Sequence, residues 1–108
     1  MIKIHASLGK EEAFMLSAEG HANAERNEND HDLVCCAVST LFGTLANSCA
    51  MIEGINTTYH AASGNALITV TNITDDLWAE VASRFRMATY GLQALSIQYP
   101  ESLSVTEE

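Results

Sequence analysis

The stretch GHANAERNENDHDLVCCAVSTL, from Gly20 to Leu41, divides the chain into a polar segment and an apolar one. From Gly20 to Asp32 no apolar residue is larger than alanine, and Asn23, Asn27, Asn29 and Asp30 favour turns, so this part is predicted to be a loop. From Leu33 to about Gly54 the pattern changes to helical periodicity. At 100° per residue, Val34, Val38, Leu41, Phe42, Leu45, Cys49 and Ile52 share one face. Asp32 is suited to cap the start of this helix, and Gly54 to stop it. The prediction therefore puts Cys35 on the first helical turn, at the border of the apolar face. Cys36 points almost opposite to the core, and Cys49 lies inside the core stripe.

On the N-terminal side, Ile2, Ile4, Ala6 and Leu8 alternate with polar residues, as a half-buried strand requires. Gly9-Lys10-Glu11-Glu12 reads as a turn, and Ala13 to Ala18 as the second arm of a hairpin. On the C-terminal side, a second hairpin spans Asn56 to Asn72, with Ser63-Gly64-Asn65 as its turn. Thr74-Asp75-Asp76 opens a second helix, its acids complementing the dipole. Trp78, Val81, Phe85, Ala88, Leu92 and Leu95 form its buried face. Pro100 follows this helix. Leu103 to Val105 form a last short strand, and Thr106-Glu107-Glu108 a solvated tail. The expected order is ββαββαβ, an α+β fold with a mainly antiparallel sheet and two helices, in a single domain over residues 1–108.

The 108 residues suit one core, and a 47% share of hydrophobic residues is enough to fill it. The longest apolar run falls short of a membrane span, and the N-terminus lacks the pattern of a secretory signal, so the expected location is cytoplasmic, with no membrane partner. Three cysteines with no CxxC pair fit a reducing compartment. A net charge of −9 with only five Lys and Arg argues against direct nucleic-acid binding. The same charge keeps a small protein soluble and suits a basic partner.

A thiol at a helix N-terminus loses its proton more easily, because free N–H groups and the helix dipole favour the thiolate. A nearby imidazole completes a nucleophile pair. Cys35 and His21 are thus the candidate catalytic residues. His31 is an alternative base, four positions before Cys35. Ser39, one turn beyond Cys35, is placed to hydrogen-bond the thiolate or a substrate, or simply to bond back to its own helix. Asp32 would orient the imidazole or cap the helix. Each of these residues also has an ordinary structural role, cysteine being a common small core residue. His21, His31, Asp32 and Cys35 include zinc-ligand types, but their spacing fits no standard site, so no metal or cofactor is expected. A redox pair at Cys35–Cys36 would need a strained ring.

Gly20-His21-Ala22 followed by Asp32-Leu33-Val34-Cys35 and Cys36-Ala37-Val38-Ser39 resembles the ribosomal-processing cysteine protease Prp family. Gly91-Leu92-Gln93-Ala94-Leu95 and Gln98-Tyr99-Pro100 resemble that family's closing helix and strand. The resemblance implies a small α+β domain that forms a homodimer. It also implies a cysteine endopeptidase that removes the N-terminal extension of large-subunit ribosomal protein twenty-seven during ribosome maturation. On this resemblance Cys35 is the nucleophile and His21 its base. Asp32 and Ser39 support the pair, and Gly20 gives backbone room beside the histidine. Cys36 stands where the family usually has alanine. The competing expectation is a non-catalytic dimeric module that binds a basic ribosomal partner, with Cys35 serving as helix packing.

Overall fold

A computed structural model describes the backbone of residues 1–21 and 28–108, and the side chains of residues 1–21 and 33–108. The elements are β1 (Ile2–Lys10), β2 (Ala13–Glu19), α1 (Glu28–Ala50), β3 (Asn56–Ala62), β4 (Asn65–Thr71), α2 (Asp75–Gln98) and β5 (Leu103–Glu107). The predicted ββαββαβ order holds. The five strands form one sheet in the order β3-β4-β2-β1-β5, antiparallel except for the β1–β5 pair.

Register explains why one face of this sheet is apolar. Ile4 pairs with Ala18 and Ala6 with Leu16 across β1–β2, while Leu16 pairs with Ile68 and Phe14 with Val70 across β2–β4. Side chains alternate along a strand, so these in-register residues share one face. They are buried together with Val34, Val38, Phe42, Leu45, Ala46 and Cys49 of α1 and Val81, Phe85, Ala88 and Leu92 of α2. Aromatic rings knit α2 to the sheet: Phe14 lies 4.8 Å from Trp78 and 5.5 Å from Phe85, both tilted. Arg84 ties the two helices, donating from Nη1 to the Ser48 carbonyl and from Nη2 to Glu80 Oε1 at 2.6 Å.

Three expectations are corrected. First, α1 begins at Glu28, not Leu33, so Asp32 is an internal helical residue and not the cap. Residues 28 to 32 are all polar, so apolar periodicity gives no sign of a helix there. Second, the C-terminus is not a free tail. β5 continues to Glu107, and the Glu108 amide donates to the Ala6 carbonyl at 2.9 Å. His5 holds the same end, with Nδ1 3.1 Å from Thr106 Oγ1 and Nε2 2.9 Å from Glu108 Oε2. Third, Leu33–Ala50 is long and apolar enough, by length and composition, to cross a membrane. Ser39, Thr40, Thr44 and Asn47 occupy its exposed side, and these uncharged residues mask its amphipathic character. Its apolar stripe is buried in the core.

Two local features predict stabilising substitutions. The β1–β2 turn carries Glu11 at φ 53° and Glu12 at φ 62°, left-handed backbone at both central positions. Such a turn favours Asn-Gly, because Cβ crowds the carbonyl in that region. Glu11→Asn/Glu12→Gly should therefore raise stability by about 1 kcal/mol, read from the urea midpoint. In β3, Thr57 Oγ1 is buried and, among the described residues, has no hydrogen-bond partner. Thr57→Val removes that polar burial at nearly constant shape and should also stabilise by about 1 kcal/mol. A lower melting temperature for Thr57→Val would show that the hydroxyl is satisfied.

Candidate active site

The end of β2 delivers His21. The ladder between β2 and β4 reaches Glu19 and Asn65, and one further backbone bond continues it, from the Gly20 amide to the Gly64 carbonyl at 2.9 Å. Gly20 has φ +101°, and a Cβ there would collide with the Met1 carbonyl. Only glycine suits both that backbone angle and that close approach. The room at Gly20 is therefore needed on the side of the N-terminal strand. His21 follows as an exposed residue at the strand's exit.

On α1, Cys35 is half-buried and packs against the core, Cys36 is exposed, and Cys49 is fully buried. Burial raises the Cys49 thiol pKa, outweighing the Ser48 hydrogen bond and the Arg84 charge that lower it. Cys49 is thus a structural thiol, protonated and shielded from reagents. Cys36 faces away from the core, and its carbonyl accepts from Thr40 Oγ1 at 2.8 Å.

A cavity of about 260 Å³ lies where the Cys35 to Phe42 stretch of α1, the exit of β2 and the β3–β4 turn converge. His21, Cys35 and Ser39 all line it, with Gly20 beside them. Ser63 and Asn65 add polar groups from the turn, while Val38 and Phe42 form an apolar wall. Fold topology thus brings together residues that the sequence separates by a polar segment. Ala22 to Asn27 lie outside the described residues. So do the side chains of His31 and Asp32, and with them the alternative base, the orienting carboxylate and part of the zinc-ligand set. Among the described residues, no three His, Cys, Asp or Glu side chains cluster as a metal site would require.

One element of the sequence-based chemistry changes. Because α1 starts at Glu28, Cys35 sits roughly two turns inside the helix and not on its opening turn. The dipole effect on a side chain fades within the first turn, and internal amides are already bonded along the helix. Helix-start amides therefore neither activate the sulfur nor line an oxyanion hole beside it. Among the described residues, the polar side chains lining the cavity are His21, Ser39, Tyr59, Ser63 and Asn65. Periodicity alone did not reveal the β3–β4 turn as part of the site, because nothing in a Ser-Gly-Asn turn marks it as chemical.

A comparison with curated protein sequences gives no match. Solved structures similar to this chain include an essential ribosomal processing protease Prp from S. aureus, in complex with a covalently linked product peptide. It has a TM-score of 0.76 and 18% identity, with 100% of each chain covered. The same protease with a substrate peptide gives a TM-score of 0.73 at 16% identity, again with 100% of each chain covered. A protein from Streptococcus mutans gives 0.72 at 20% identity, with 99% of this chain and 96% of that one covered. At such identities these likenesses establish the fold. The sequence profile described as cysteine protease Prp matches residues 1–104, nearly the whole length, and by that match the chain belongs to the cysteine protease Prp family.

Proposed function

We propose that this protein is a cysteine endopeptidase that removes the N-terminal extension of large-subunit ribosomal protein twenty-seven during ribosome maturation, with Cys35 as nucleophile and His21 as base. The observation that carries this reading is the shared cavity: His21, Cys35 and Ser39 line one space in a chain of a cysteine protease family. The S. aureus relatives crystallised with substrate and product peptides support a peptide as the occupant.

In the proposed cycle the imidazole takes the Cys35 proton and the thiolate attacks the scissile carbonyl. Charge develops on the carbonyl oxygen, and Ser39, Tyr59, Ser63 and Asn65 line the same cavity as candidate donors to meet it. The protonated imidazole then gives its proton to the leaving amine, and water hydrolyses the thioester. Catalytic hydrogen bonds commonly tighten only once substrate is bound, so a shared cavity in the unliganded chain is the relevant geometry. A net charge of −9 would draw a basic ribosomal protein toward the site. Asp32 and Gly20 are read as supporting residues, and the working form as a cytoplasmic homodimer.

The test is incubation with the full-length ribosomal protein, followed by mass measurement at its N-terminus. Wild type should release the extension and Cys35→Ala should not. Equal cutting by both would overturn the nucleophile assignment. Processing that still depends on the protein but survives loss of both Cys35 and Cys36 would favour a non-catalytic binding module.

A further inference from the structure

We propose that Gly64, in the β3–β4 turn, is a positioning residue for the His21 imidazole, an inference that rests on the reading of His21 as the base. Two independent contacts meet there. The Gly64 carbonyl accepts the Gly20 amide at 2.9 Å, which fixes the backbone immediately before His21. The ring itself lies over the Gly64 Cα: a Cβ at position 64 would sit 2.6 Å from His21 Nε2, 3.1 Å from Cε1 and 3.4 Å from Cδ2. The first of these is closer than non-bonded atoms tolerate, so any side chain at this position displaces the ring. Gly64 therefore acts on both ends of the histidine, holding its main chain and leaving space for its ring in the cavity shared with Cys35.

The ordinary explanation for a glycine here is its φ of +74°. The molecule contains its own control. Gly54, in the turn between α1 and β3, has φ +91°, and nothing lies within 4 Å of where its Cβ would be. Asparagine tolerates left-handed backbone while adding a Cβ. Gly54→Asn and Gly64→Asn thus impose comparable backbone strain, and only the second meets the imidazole.

The experiment compares wild type, His21→Ala, Gly64→Asn and Gly54→Asn, all in a Cys36→Ala background. The pH dependence of Cys35 alkylation by iodoacetamide is followed by mass spectrometry, alongside thermal melting and peptide turnover. Alkylation by so small a reagent separates ring placement from obstruction of a peptide. Gly64→Asn should melt close to Gly54→Asn, reproduce the alkylation profile of His21→Ala, and lose about a hundredfold in kcat. Gly54→Asn should match wild type in both profile and turnover. If Gly64→Asn keeps the wild-type profile while His21→Ala loses it, the base assignment stands and the positioning role is wrong. If His21→Ala itself keeps the wild-type profile and turnover, the pair is wrong and this inference falls with it. Should Gly64→Asn not fold, Gly64→Ala replaces it. Failure of both to fold, with the Gly54 counterparts folded, would assign the position to packing and overturn the proposal.

Discussion

Cys35→Ala is expected to lower kcat on the proposed ribosomal substrate by on the order of 10⁴-fold or more, because Cys35 supplies the only thiol among the described residues that line the cavity. In the proposed cycle the sulfur makes its decisive bond only as the carbonyl is attacked. Its loss should therefore lower kcat and kcat/KM together and leave substrate binding nearly intact. His21→Ala should cost roughly 10²–10⁴-fold, the usual share of a general base. Cys36→Ala should stay close to wild type, since that thiol is exposed and does not line the cavity. The two losses should be far from additive: once the sulfur is gone, the imidazole has no proton to take. Single-turnover kinetics on the four variants, including the double variant, would check this. A Cys36→Ala enzyme as inactive as Cys35→Ala would reverse the assignment within the doublet.

The second large effect concerns the frame that holds the site. Phe85→Ala should destabilise the protein by about 3–5 kcal/mol, the usual cost of emptying a fully buried aromatic position. Phe85 lies between α2 and the sheet, 5.5 Å from Phe14, which also contacts Trp78. Val81, Leu92 and Leu16 of the same core are themselves fully buried, and a close-packed interior relaxes only partly into so large a gap. Against a total of roughly 5–15 kcal/mol, that is a substantial part of the stability. The urea midpoint should fall with the slope unchanged, because the surface exposed on unfolding is almost the same. A loss below about 1 kcal/mol would mean that the α2–sheet interface repacks freely.

The same core explains why so much of the fold is legible in the residues. Ile2, Ile4 and Ala6 alternate, Val34, Val38 and Phe42 recur at helical spacing, and each pattern has one burial solution. Edges were less legible, for physical reasons. The first residues of α1, 28 to 32, are all polar in sequence, so apolar periodicity cannot detect a helix there. Thr106 to Glu108 look solvated by composition, but β1 offers an open parallel edge and His5 two nitrogens to hold them. At the site, His21 and Cys35 stood out by residue type beside a helix. The contribution of the Ser63-Gly64-Asn65 turn did not, because it comes from backbone and empty space, which leave no mark in a sequence. The helix terminus drops out as a source of Cys35 reactivity, because α1 begins roughly two turns earlier, at Glu28.

The most direct test of the central claim is a chemical ruler. In the Cys36→Ala variant, 1,3-dibromoacetone alkylates an accessible thiol with loss of one bromide. The tethered arm can then alkylate only a nucleophile within reach of its three-carbon bridge. Digestion and mass spectrometry should find Cys35 joined to His21 through that bridge, with the second bromide gone. A bridge from Cys35 to another residue, or Cys35 carrying a tether that never reaches His21, would contradict the pairing on which the protease reading stands.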